Sequence, residues 1–375
     1  MSVLRADASG DARRLGRRWP VRALLCAAIA SSAFAARPAP GDPATAPEIV
    51  EAAGAEGRVV VHGTTDRASA ARLLADFAAL HPEIEVEYQE LPSAELYDRV
   101  ARGRGPPADV VWSSAMDLQM KLANDGYAQR YASPEALRIP TWAVWKDEAF
   151  GTTFEPVGFA YDKRALAPAD VPATHAALVE LLRAHPERWR GRVAAYDPQR
   201  SGIGFLLATQ DARTAPGFQQ AVRAYGTADV KLYETSGEIL SRIAAGEQVL
   251  GVNVIASYAL GDPSRAGVIG MVYPRDYTLV LSRIALITRA APHPNAARVF
   301  LDHLLSHRGQ QALASASVFA IRPGIQGDAT ASALGHLLGR SLRPIPVGTG
   351  LLVYLDEAKR ADFLRRWREA FSPAR

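Results

Sequence analysis

The chain has 375 residues, 48% of them hydrophobic and 22% charged, with 43 Lys and Arg against 39 Asp and Glu. That is enough apolar side chain for two cores of ordinary domain size, and the composition excludes a disordered or fibrous chain. Residues 1–36 hold six Arg and two Asp, so the remainder carries 37 residues of each sign, with no Lys/Arg stripe for nucleic acid or a membrane surface.

In chain order, a basic start (Arg13, Arg14, Arg17, Arg18, Arg22) precedes an apolar run over residues 23–30 and the small-x-small site Ala33-Phe34-Ala35. This pattern predicts an export signal over 1–36, and the run is too short to span a bilayer. Cys26, the single cysteine, follows Leu24-Leu25 rather than the small residue of a lipid-anchored signal. Cleavage after Ala35 or Ala36 would remove it, leaving no disulfide, thiolate ligand or cysteine nucleophile. Residues 37–57 read as a flexible lead into the fold.

Residues 58–62 are a β-branched run too apolar to face water on either side, as in a central parallel strand. The polar loop Gly63-Thr64-Thr65-Asp66 and a helix over 68–80 follow it. Strands over 84–88 and 109–112, with helices over 93–101 and about 116–125, complete three strand-loop-helix units, which imply an open parallel sheet. Residues 152–162 read as a strand returning into that sheet. The second block repeats the scheme: a helix over 175–184, a strand over 192–196, a helix after it, a strand over 230–233, a helix over 236–246 and a strand over 249–255 ending in Ser257-Tyr258. The apolar run 278–288 and helices over 294–305 and 309–315 read as the chain crossing back. Residues 352–371 have the pattern of an amphipathic outer helix.

The stretch GRVAAYDPQRSGIGF, residues 191–205, delivers a buried strand directly to a helix start at Ser201-Gly202. The first amides of that helix have no partner within it, so they form a seat for an anion. Arg200 and the Ser201 hydroxyl would add charge and a donor, and Asn253 and Tyr258 fall beside the seat. Thr64, Thr65, Ser113 and Ser114 sit at the carboxyl ends of first-block strands, where open sheets bind ligands. Ordinary helix capping by the same residues is the competing reading. No G-x-S-x-G, H-E-x-x-H, G-x-x-x-x-G-K-[ST] or strand-anchored G-x-G-x-x-G occurs, so no nucleophile, metal cluster or phosphate loop of an enzyme is assembled. His62 reads as a satisfied core residue. Trp142 and Trp145 read as packing for a hinge, and His303 and His307, spaced i and i+4, lack a third metal ligand.

The segments VVVHGTT, PADVVWSS, VGFAYDKR, RWRGRVAAYDPQRSGIGF, AGEQVLGVNVIASYAL and HPNAARVFLDHLLSHRGQQALA occur in this order. Over residues 58 to about 324 the chain thereby resembles the ferric-type branch (family 1) of bacterial extracellular solute-binding proteins, the periplasmic receptors of ABC importers. The resemblance implies a two-lobed α/β type II periplasmic-binding fold: lobe 1 over 58–163 and 276–330, lobe 2 over 164–275, and C-terminal helices over 331–375 packed outside. It implies a hinged cleft, a periplasmic monomer, a permease partner in the inner membrane, and no catalysis or cofactor.

Iron-binding relatives present paired tyrosines, a His and a Glu where this chain has Ser257-Tyr258, Gly63-Thr64-Thr65 and Ser113-Ser114. The resemblance assigns Ser201-Gly202 to the anion, and NVIASYAL is similar to phosphoglycerate- and phosphonate-type members. The expectation is therefore a small phosphorylated or phosphonylated anion, held by Thr64, Thr65, Ser113, Ser114, Arg200, Ser201, Gly202, Asn253 and Tyr258 without metal. The alternatives are a ferric or iron-chelate receptor, and a sensor that presents its closed form to a membrane kinase.

Overall fold

The protein is described by a computed structural model covering residues 45–372; the expected export signal lies outside the described residues. The strands are β1 (Arg58–Gly63), β2 (Glu85–Glu90), β3 (Val110–Ser113), β4 (Val144–Trp145), β5 (Ala149–Gly151), β6 (Glu155–Asp162), β7 (Val193–Tyr196), β8 (Lys231–Tyr233), β9 (Leu250–Ile255), β10 (Ile269–Val272), β11 (Thr278–Leu281), β12 (Ile284–Ile287) and β13 (Leu342–Pro344). They form two sheets, ordered β2-β1-β3-β12-β5-β4 and β13-β11-β6-β9-β7-β8, with β10 also pairing to β6. The fold is thus the expected two-lobed α/β architecture.

In the first sheet β1 pairs in parallel with β2 and β3, and every residue of β1 after Arg58 is buried. Helices cover both faces, which is why this strand is a continuous apolar run rather than an alternating one. Phe77, Trp112 and Phe300 fill the layers beside it. In the second sheet β7 pairs in parallel with β8 and β9, while β6 runs antiparallel to β9, β10 and β11. Phe159, Leu178, Trp189 and Leu250 pack its outer layer.

The strand expected over 152–162 to return to the first sheet instead forms the centre of the second, and all eight residues of β6 are buried. A strand buried on both faces, apolar between its terminal Glu155 and Asp162, suits either sheet equally, so its own pattern does not say which it joins. The chain therefore crosses between sheets at residues 152–154, and again at Ser282 and Arg283, inside the run 278–288. Residues 155–162 and 278–281 thereby belong to the second sheet rather than to the first block.

The lead expected to be flexible is partly helical. Pro47–Glu56 begins with Pro in the first turn and ends on Gly57 at φ 67, a left-handed stop that glycine adopts without strain. Glu56 accepts from the backbone amides of Asn295 and Ala296, and so caps the helix Pro294–Leu305 from outside. At the other end β13 adds to the second sheet beside β11. The helix Glu357–Phe371 packs Phe363 and Trp367 against Phe205, Phe218 and Val222. The turn before it, Thr349–Leu355, lies on the first-lobe helix Met116–Asn124, so the C-terminal segment touches both lobes.

Candidate functional site

Between the carboxyl ends of the two sheets lies a cleft of ≈ 700 Å³, within the range of small-molecule sites. Its walls carry the starts of four helices. From the first lobe come Arg67–Leu80 and Ser93–Arg102, and from the second Gly202–Thr214 and Ser236–Ala244. Each follows a strand whose end delivers it to the cleft, so their unpaired amides converge on one volume.

The starts are not equivalent. At Arg67–Leu80 the Asp66 carboxylate accepts from the Ser69 amide at 2.8 Å, and Glu90 accepts from the Arg67 amide at 3.1 Å. Two carboxylates thus already occupy that positive end. At Gly202–Thr214 the Ser201 hydroxyl accepts from the Gly204 amide at 3.1 Å and donates to the Glu234 carbonyl at 2.6 Å. The amides of Gly202 and Ile203 remain without a helical acceptor. At Ser236–Ala244, Thr235 caps the Glu238 amide at 3.1 Å, and Glu238 accepts from the amide of Glu234, the residue before the cap, at 3.3 Å. Ser93 opens its helix behind Pro92, which has no side-chain cap. A Cβ added at Gly202 would lie 2.6 Å from the Ser93 hydroxyl, so the lobes meet closely beside the Ser201 helix start.

Of the nine expected site residues, Thr64, Ser114, Arg200, Ser201, Gly202 and Tyr258 line this cleft. Thr64 accepts from the Ser114 amide at 3.1 Å, which ties the first and third loops together. Arg200 forms an exposed ion pair with Glu234 at the rim, a weak contact for which an anion would compete. Arg265 pairs with Asp262 in the same way.

Three expected residues face elsewhere. Thr65 is fully buried and accepts from Arg283 at 3.0 Å. Ser113 is buried beneath its loop, where its hydroxyl accepts from the Ala115 amide at 3.2 Å. Asn253 sits at φ 57 where the register between β6 and β9 shifts, so that Val252 and Asn253 together oppose Phe159. Asn253 tolerates this left-handed conformation. Its side chain points to Asp211, at 2.5 Å, rather than into the cleft. Tyr277 donates to the other Asp211 oxygen at 2.9 Å, and burial holds that carboxyl above the usual range.

Sequence reasoning missed Ser93, Tyr196, Thr235, Ser236 and Gly237, which also line the cleft. Pro92-Ser93 and Thr235-Ser236-Gly237 each follow a strand and open a helix, the same signal as Ser201-Gly202. Tyr196 and Ser236 share a short hydroxyl contact, and burial pushes the Tyr196 phenol well up, so it stays neutral.

The histidines stand apart from the cleft. His62 is buried with neither ring nitrogen hydrogen-bonded, not satisfied as expected, and burial lowers its pKa. His303 and His307 fall on separate helices divided by Ser306, so their spacing does not put them on one face. Among the described residues no group of His, Cys, Asp and Glu is arranged to hold a metal ion. Trp142 packs on Phe154 of the first crossing, with ring centroids 5.9 Å apart.

Residues 58–316 match the family of bacterial extracellular solute-binding proteins. The substrate-binding protein of an ABC transporter from Agrobacterium tumefaciens is 40% identical, with a TM-score of 0.80 over 84% of this chain and 94% of that one. The chain belongs to this family, the solute-binding components of ABC transporters, which deliver small ligands to membrane permeases. The fold is shared at 17% identity with AfuA from Actinobacillus pleuropneumoniae, solved with exogenous fructose-6-phosphate bound (TM-score 0.69, covering 85% of this chain and 99% of that one). It is shared at the same identity with iron-bound HitA from Pseudomonas aeruginosa (TM-score 0.66, 84% and 99%). No curated protein matches the chain.

Proposed function

We propose that this protein captures a small organic anion bearing a phosphoryl or phosphonyl group in the interlobe cleft and presents it, in the periplasm, to an ABC permease. The observation that carries this reading is the meeting of three helix starts, at Ser93, Gly202 and Ser236, in one ≈ 700 Å³ cavity. Amides aimed from several helices hold negative charge without a free cation, because each helix end contributes partial positive charge. Asp66, Glu90 and Asp262 line the same cavity and offer acceptors to hydroxyl or ammonium groups of the ligand body.

The likeness to HitA raises iron as the second reading. Ferric iron needs several hard anionic oxygens. Here the single cleft tyrosine of the last loop is engaged: Tyr258 donates to the Thr64 carbonyl at 2.9 Å, and its neighbour Ser257 is bonded to Glu155. Thermal-shift titration with phosphate esters, phosphonates, dicarboxylates and Fe³⁺ tests the choice. Stabilisation by a phosphate ester or phosphonate is expected. Stabilisation by Fe³⁺ alone, with the colour of tyrosinate-to-iron charge transfer, would overturn it.

A further inference from the structure

The two crossings between the lobes lie side by side, and a single buried ion pair joins them. Arg283, on the second crossing, is 1% exposed, and Glu155, at the end of the first, is 0% exposed. The guanidinium grips the carboxylate with two nitrogens, Nε to Oε1 at 2.7 Å and Nη2 to Oε2 at 3.1 Å. Thr153 at 2.9 Å and Ser257 complete the carboxylate's partners. Such a pair already satisfies the buried charges.

The third nitrogen is left for other work. Nη1 donates to the Thr65 hydroxyl of the first lobe at 3.0 Å and to the Tyr258 hydroxyl of the second at 3.3 Å. Guanidinium nitrogens only donate, so the Tyr258 oxygen accepts from Arg283 and its one proton is left for another acceptor. That acceptor is the Thr64 carbonyl across the lobe boundary, at 2.9 Å. Burial raises the phenol pKa, so the proton stays on. A hydrogen bond between the lobes is thereby made at the cleft wall and oriented from the pivot.

We propose that Arg283 is a positioning residue for closure: from the hinge it fixes the Tyr258 hydroxyl as the donor of a latch to the Thr64 carbonyl. The latch does not depend on which solute the cleft takes up, so it stands or falls separately from the proposed ligand. It differs from a purely structural ion pair in one respect, since losing it should change the opening of the lobes more than the stability of either.

Small-angle scattering of the protein without added ligand, alongside thermal unfolding, separates the two. Tyr258→Phe keeps the ring and removes the hydroxyl. It is expected to shift the closed-to-open ratio about tenfold towards open, read as a larger radius of gyration, with little change in melting temperature. Arg283→Lys keeps a charge opposite Glu155 but loses the fork, and is expected to expand the molecule in the same way. Radii unchanged from the parent in both variants would overturn the latch. Expansion in Tyr258→Phe alone would overturn the role given to Arg283. If Arg283→Lys does not fold, Thr65→Val, which frees Nη1 from its other acceptor, should leave the parent radius, and expansion there would place the closing bond at Thr65 and overturn the Tyr258 latch.

Discussion

At the scale of single residues, the cleft depends on groups whose ordinary structural task and binding task coincide. Ser201 caps its own helix and borders the two amides left open beside it. Asp keeps the capping acceptor but cannot donate to the Glu234 carbonyl as the Ser201 hydroxyl does, so Ser201→Asp should fold with about 1–3 kcal/mol less stability while placing negative charge in the seat. Isothermal titration with whichever phosphate ester or phosphonate stabilises the parent should show affinity reduced roughly a hundredfold or more; unchanged affinity would move the seat elsewhere. Gly202 matters for the other lobe, since the Ser93 hydroxyl lies where its Cβ would go, with Leu118 3.2 Å away. Gly202→Val should therefore hold the lobes apart and weaken binding about tenfold or more, with an unchanged circular dichroism spectrum.

At the scale of elements, the helix Met116–Asn124 carries a buried carboxyl beneath the C-terminal turn. Asp117 is 3% exposed, accepts from the Leu118 amide at 2.9 Å, and is pushed up to about 7, burial outweighing that amide and the charge of Arg360. A carboxyl with a raised folded-state pKa binds more protons folded than unfolded between about pH 4 and pH 7, so stability falls as pH rises through that window. Asp117→Asn should remove that loss. The variant's advantage in chemical denaturation should grow from pH 4 to pH 7 and then level off, at a few kcal/mol. The C-terminal helix offers a contrast. A Cβ at Gly226 would fall 1.8 Å from the Phe371 carbonyl oxygen. Gly226→Ala should thus displace this helix and cost about 1–3 kcal/mol of stability while leaving ligand affinity near the parent value.

At the scale of the whole molecule, binding and closure are one equilibrium, because only the closed form offers contacts from both lobes. A ligand at a hundred times its dissociation constant should stabilise the protein by about 2.7 kcal/mol. Much of this architecture was legible in the chain. The helices over 175–184 and 294–305 fall where apolar spacing put them, and six of nine expected site residues line the cleft. Five of those six share a local signal, a Ser, Thr or Gly between strand and helix, or the aromatic just after a strand; the sixth, Arg200, lies at the rim paired with Glu234, 34 positions along the chain. Asn253 points away from the cleft because a bulge turned it to the opposite face.

By itself the sequence determined the strand-loop-helix units, their capping residues and the family they spell, since those depend on neighbours a few positions apart. Only the tertiary structure decided which sheet β6 joins, where the chain crosses, and that Arg283 meets a carboxylate 128 residues away. A buried apolar strand fits either sheet and a lone Arg has no local partner, so both are settled by packing between distant segments.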